Sequence, residues 1–255
     1  MQISDILQQL FRWAHIVAGI LWIGLLWFFN WVNGPFTATM DADTKKKVIP
    51  ELAPRALFWF RWGAAWTWIF GLLLLGMVFW MGGAALKQGV SWSAGSIIMT
   101  LLVFLAAPIY DALANSALGK NPKNFAIVGF ILIAIVVFLF QSVGDLSYRG
   151  YVMYTGAMFG TIMAFNVWMR IWPSQKKIIN GIKTGPPADA AVVALAGARS
   201  KHNTYLSVPL VWAMINAHTT FLDGDMAWLY MPLAVLLGWL FVMRMYKMAA
   251  KVKGF

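Results

Sequence analysis

Residues 125–143, FAIVGFILIAIVVFLFQSV, contain no charged side chain, and their reading decides the fold. A run of this length reaches about 30 Å as an α-helix at 1.5 Å per residue, which is the thickness of a bilayer's hydrocarbon core. Lys120 and Lys123 stand before it, and Asp145 and Arg149 after it. Working outward, comparable apolar runs occupy residues 7–32, 56–81, 95–118, 150–172, 203–221 and 226–246. Asn33-Gly34-Pro35 reads as the stop of the first run and Pro173 as the stop of the fifth, because proline lacks an N–H and clashes with the preceding helical turn. The pattern predicts an all-α integral membrane protein, a bundle of about seven transmembrane helices in one domain over residues 1–255.

Composition excludes the alternatives. The chain is 61% hydrophobic and 11% charged, whereas a soluble domain carries roughly 25% charged residues. It contains no cysteine, which excludes disulfides, thiolate-held iron–sulfur clusters and the covalent attachment of a c-type haem. The net charge of +11 does not indicate nucleic acid, since the basic residues fall in short loops between apolar runs. Lys45, Lys46, Lys47, Arg55, Lys120, Lys123, Lys176, Lys177, Lys183, Arg199, Lys201, Lys247, Lys251 and Lys253 all fall on one side of a seven-span topology, against Lys87 and Arg149 on the other. The positive-inside rule then sets the N-terminus outside and the C-terminus in the cytoplasm. Asp5, Asp145, Asp223 and Asp225 make the outer loops mildly acidic, a surface for a basic partner if acidic residues are not simply indifferent to sidedness.

No cleavable signal peptide is expected, because the N-terminus lacks a positive region and the first apolar run is too long. Two inner segments read as amphipathic rather than spanning, residues 41–55 and 186–201. Asp43-Thr44 is placed to cap a short helix in the first.

Polar side chains inside lipid are expensive, so each is a functional candidate weighed against interhelical bonding or snorkelling. His15 and His218 fall on different spans at a similar outer depth. Two imidazoles so placed suit the axial ligation of a haem b, or a bare metal ion; the competing reading has each bonding a neighbouring helix. Gly19, Gly24, Gly156 and Gly160 would let a flat macrocycle or another helix approach closely. A second group gathers at the inner depth: Asn30, Asn33, Arg61, Tyr110, Asp111, Asn115, Asn166, Arg170, His202 and Asn203. These donors and acceptors suit a small polar anion or heterocycle, or else a set of snorkelling arginines and interhelical asparagine bonds. Arg61, Asp111, His202 and Asn203 are the catalytic candidates, with Arg61 the expected ionic partner of Asp111.

Four separated motifs occur in order: HIVAGILWIGLLWFFN at 15–30, PRALFWFRWGAAWTWIFG at 54–71, NVWMRIWPSQKKII at 166–179 and RSKHNTYLSVPLVWAMINAH at 199–218. Together they resemble the N-terminal membrane domain of the bacterial cytochrome c-linked urate oxidases. The resemblance implies a multi-pass protein of the bacterial inner (cytoplasmic) membrane, acting on urate and passing electrons to cytochrome c rather than forming peroxide. In those oxidases a further span and a C-terminal cytochrome c domain follow, whereas this sequence stops at Phe255. The expected acceptor is therefore a separate cytochrome c at the outer face. Two other readings stay open: a non-catalytic subunit scaffolding a larger respiratory or energy-transducing complex, and a transporter using Asp111.

Overall fold

The computed structural model describes residues 3–218 and 226–252. Residues 219–221 of the sixth expected span, and Asp223, Asp225 and Lys253 of the charge reading, lie outside the described residues. Among the described residues, seven continuous helical stretches carry the chain. The first joins α1 (Ile3–Trp27), a π-helical turn (Phe28–Asn33) and α2 (Gly34–Thr39). The second joins α3 (Ala42–Leu74) to a π-helical turn (Leu75–Met81). Then come α4 (Ala94–Asn115), α5 (Pro122–Ser142), and α6 (Tyr148–Phe165), which passes through a π-helical turn (Asn166–Ile171) into α7 (Trp172–Thr184). α8 (Ala190–Asn216) and α9 (Tyr230–Ala249) complete the set, and no strand occurs among the described residues.

Among the described residues, six stretches are long and apolar enough to cross a membrane, as expected of a multi-pass membrane protein: those spanning Ile3–Thr39, Ala42–Met81, Ala94–Asn115, Pro122–Ser142, Tyr148–Thr184 and Ala227–Ala249. The described part of α8 is more polar, holding Arg199, Lys201, His202 and Asn203. Ile97, Leu101, Leu105 and Ile109 of α4 are exposed at four-residue spacing, while Asn166, Asn203, Thr204 and Arg199 are buried. Apolar surface outward and polar groups inward is the arrangement a lipid solvent favours.

Both expected proline stops are corrected. Pro35 and Pro173 each stand in the first turn of a helix that directly follows a π-helical turn, and the helix continues. Proline's missing N–H costs little at a helix's first positions, and the wider π turn supplies the irregularity that proline otherwise forces. Residues 42–55 likewise run on into the second stretch through Pro50 and Pro54, as one 33-residue helix rather than a short one. Its cap is Asp41, not Asp43-Thr44: Asp41 accepts from the Asp43 and Thr44 N–H groups, both at 2.9 Å, and from the Thr44 hydroxyl at 2.7 Å. The expected surface segment 186–201 is continued from Ala190 by α8 without a break.

The chain divides into two compact units. The first comprises Met1–Phe70, Met163–Tyr205 and Phe241–Phe255, the second Gly71–Ile162 and Leu206–Leu240. In the first unit α1 and α3 pack antiparallel. Phe11 meets Phe70 with ring centroids 5.9 Å apart, and Phe29 meets Phe60 at 5.6 Å. Between these contacts Trp22, 1% exposed, lies against Gly63, where an added Cβ would stand 3.3 Å from the Trp22 backbone nitrogen.

The second unit is built on α4, α5 and the first part of α6. Ser93 and Ser96 form a reciprocal capping box at the start of α4, and Asn121 caps α5 ahead of Pro122. Tyr154, fully buried, receives a hydrogen bond from Trp80 Nε1 at 3.0 Å and lies 2.9 Å from the Thr100 hydroxyl. The loop before α4 is fastened by the Leu86–Leu146 bridge and by a 3.5 Å Lys87–Asp145 ion pair.

Candidate functional site

The first unit carries most of the polar machinery. His15 stands on α1, and its Nδ1 lies 2.8 Å from the Thr67 carbonyl oxygen of α3. A carbonyl only accepts, so the proton sits on Nδ1 and the lone pair is left on Nε2. Histidines that ligate a metal or haem iron are commonly oriented this way, by a backbone carbonyl on the other ring nitrogen. Gly19, one turn on, leaves a Cβ-sized gap beside Thr67, with Cγ2 3.7 Å away. His218 is exposed beyond the end of α8, in the second unit.

At the other end of α1, the π-helical turn places Asn30 where its amide donates to the Ser200 hydroxyl of α8 at 2.9 Å and to the Leu26 carbonyl at 2.9 Å. Tyr246 of α9 donates to Asn30 Oδ1 at 2.8 Å. The second π-helical turn of this unit repeats the device, since Asn166 donates to Asn203 Oδ1 at 2.8 Å, and Asn203 in turn donates to the Met163 carbonyl at 3.0 Å. The Arg199-Ser200-Lys201-His202-Asn203-Thr204 stretch of α8 is thus held from two sides by asparagines projected from π-helical turns. Such turns recur at functional sites because they redirect side chains that a regular helix would aim elsewhere.

Of the four catalytic candidates, this arrangement includes His202 and Asn203. Asn203 is fully buried, and its Oδ1 and Nδ2 are both engaged, which makes it a positioning residue. His202 is mostly buried on the same turn, next to fully buried Arg199. Asp111 lies in the second unit, 7% exposed, and accepts from Asn115 at 3.2 Å. The expected pairing of Arg61 with Asp111 is replaced by ring contacts, for Arg61 has no ion pair among the described residues. Its guanidinium lies 3.9 Å from the Trp172 ring centroid, with Phe58 and Trp168 at 5.6 and 6.0 Å.

Sequence reasoning missed Ser200 and Tyr246. A tyrosine near the end of the last apolar run carries an ordinary interfacial signal, and only the tertiary fold shows that it reaches Asn30. Among the described residues, no group of three or more His, Cys, Asp or Glu side chains could hold a metal ion. A haem would ask of the protein one imidazole with a bare Nε2, and His15 would supply it.

No curated protein and no solved structure matches the chain. A family model described as urate oxidase N-terminal matches residues 40–253, starting just after the stretch that carries His15. With most of its length covered, the chain belongs to the urate oxidase N-terminal family.

Proposed function

We propose that the chain is the membrane-embedded redox part of a urate-oxidising system, set in the bacterial inner membrane with its N-terminus outside. It binds haem b non-covalently and delivers electrons to a separate cytochrome c. The observation that carries this reading is the His15–Thr67 bond, which presents Nε2 as a ligand in a chain of this family. When bound, the haem would supply one-electron acceptance and release. His15 would hold it through Nε2.

The protein's own contribution lies on α8. His202 would take up a proton as a heterocyclic substrate is oxidised, and Asn203, held by Asn166 and Met163, would fix the turn that carries it. An absorption spectrum of the detergent-purified chain, oxidised and dithionite-reduced, with a pyridine haemochrome assay, tests the reading. A b-type spectrum that urate reduces supports it. A colourless, metal-free chain overturns it in favour of the scaffolding subunit.

A further inference from the structure

Arg61 is held in an unusual way for a cation on an apolar helix. Its backbone carbonyl accepts from Trp168 Nε1 at 3.2 Å, which locks α3 to the second π-helical turn of the first unit and fixes the Arg61 Cα against it. The side chain then lies over Trp172, with Phe58 and Trp168 around it. Its Nε is enclosed without a hydrogen-bond partner, and no carboxylate pairs with it among the described residues. A second cation attends the same indole, with Lys176 Nζ 5.8 Å from the Trp172 ring centroid.

Ring faces satisfy part of the charge of a guanidinium, but they offer its N–H groups no in-plane acceptor. Two cations gathered on one indole, without a carboxylate, leave a place for an anion whose oxygens meet the guanidinium fork. On the same helix Phe58, Trp59, Trp62 and Trp66 are 43%, 57%, 37% and 47% exposed, so the charged spot opens onto an aromatic surface. Phe58, Trp62 and Trp66 stand at four-residue spacing, with Trp62 and Trp66 stacked at 6.2 Å. Arg61 also falls five residues inside the expected span 56–81, within snorkelling reach of the headgroup level. A soluble anion has no use for that adjoining apolar surface, whereas a phospholipid covers it with its glycerol and acyl chains.

We propose that Arg61 and Lys176, arranged about Trp172, bind the phosphate of an anionic phospholipid, with the Phe58, Trp62 and Trp66 face bearing its acyl chain. The proposal rests on the membrane reading above and takes Arg61 out of the catalytic set. It is tested on the full chain, delipidated in detergent, by native mass spectrometry and thermal melting with phosphatidylglycerol, phosphatidylcholine or inorganic phosphate added.

Phosphatidylglycerol should be retained and should raise the melting temperature, and phosphatidylcholine should do neither. Arg61→Gln and Lys176→Gln should each weaken phosphatidylglycerol binding about fivefold. Lys87→Gln, in the second unit, should leave it unchanged. Should Arg61→Gln fail to fold, Arg61→Lys and Lys176→Gln carry the test, with Arg61→Lys expected to bind at intermediate strength.

Phosphatidylglycerol binding that ignores both substitutions overturns the site. An equal, Arg61-dependent response to inorganic phosphate overturns the lipid and leaves a soluble phosphate site. A chain that stays soluble without detergent overturns the membrane reading itself, which separates that failure from failure of the lipid site alone.

Discussion

His15 donates its Nδ1 proton to the Thr67 carbonyl at 2.8 Å, a bond between α1 and α3 that holds the imidazole with Nε2 unprotonated. Any neutral imidazole that donates through Nδ1 leaves Nε2 bare, so the bond suits an iron ligand and a simple tie between the two helices alike, and the spectrum of a variant separates them. His15→Ala should remove the haem Soret band, and added imidazole should restore part of it by entering the vacated ligand position. A full b-type spectrum in the variant would sink the ligand assignment, whatever happened to stability.

Asn166 and Asn203 make the second relationship that can be measured. Asn203→Ala strands a buried Asn166 amide and the Met163 carbonyl, and should cost about 1–3 kcal/mol in thermal or denaturant unfolding. Asn166→Ala removes the donor and should cost a similar amount. Because the two touch, the double variant should fall short of the sum by about 1 kcal/mol. Strict additivity would show that the 2.8 Å bond does not couple the π-helical turn to α8.

The helices were legible because lipid leaves little choice. A run such as 125–143 has no charge to solvate, and the structure makes α5 of it, Pro122–Ser142. The Pro35 and Pro173 stops misled because a proline after an apolar run ordinarily ends a helix, while a π-helical turn, set by tertiary packing, has no local sequence signature. Within the candidate site, Asn30, Asn166, His202 and Asn203 stood out as polar groups in apolar surroundings. Their bonding could not be read, since the partners Ser200, Met163 and Tyr246 come from other helices. Arg61 was misread for a related reason. A cation within an apolar span calls for a carboxylate on general grounds, and only the fold shows indoles in that place.

Asp41 gives a pH prediction outside the spanning stretches. Hydrogen bonds from Thr44, through backbone and hydroxyl, and from the Asp43 backbone hold its carboxyl below the ordinary aspartate value. A depressed folded-state value means that the cap's contribution is full above the ordinary value and is lost as pH falls through the lowered one. Amide exchange over residues 42–48, corrected for intrinsic rate, should show the start of α3 fraying only as pH falls below the ordinary aspartate value. Asp41→Asn keeps an acceptor that does not titrate, and should abolish that pH dependence while preserving the helix start. Identical pH profiles for the two proteins would remove Asp41 from the cap.

Four glycines separate close packing from open space. At Gly63 an added Cβ meets Trp22 Cβ and backbone nitrogen at 3.3 Å, and at Gly156 it meets Met214 Cε at 2.6 Å and Ala213 Cβ at 3.1 Å. At Gly150 it would run into the Ala85 carbonyl oxygen. Gly160, which shares the small-residue spacing with Gly156, has nothing within 4 Å. Gly150→Ala must push backbone aside and should be the most damaging, at about 3 kcal/mol or somewhat less. Gly63→Ala should cost about 1 kcal/mol, because the opposing atoms belong to the Trp22 backbone and its Cβ rather than to a flexible tip. Gly156→Ala should fall between them, since the Met214 methyl can swing away but Ala213 cannot. Gly160→Ala should be neutral or slightly stabilising, as alanine favours the helix over glycine by roughly 1 kcal/mol. Unfolding of the four variants in one detergent decides the order; if Gly160→Ala proves as harmful as Gly156→Ala, both glycines face a partner and the open side of α6 is closed.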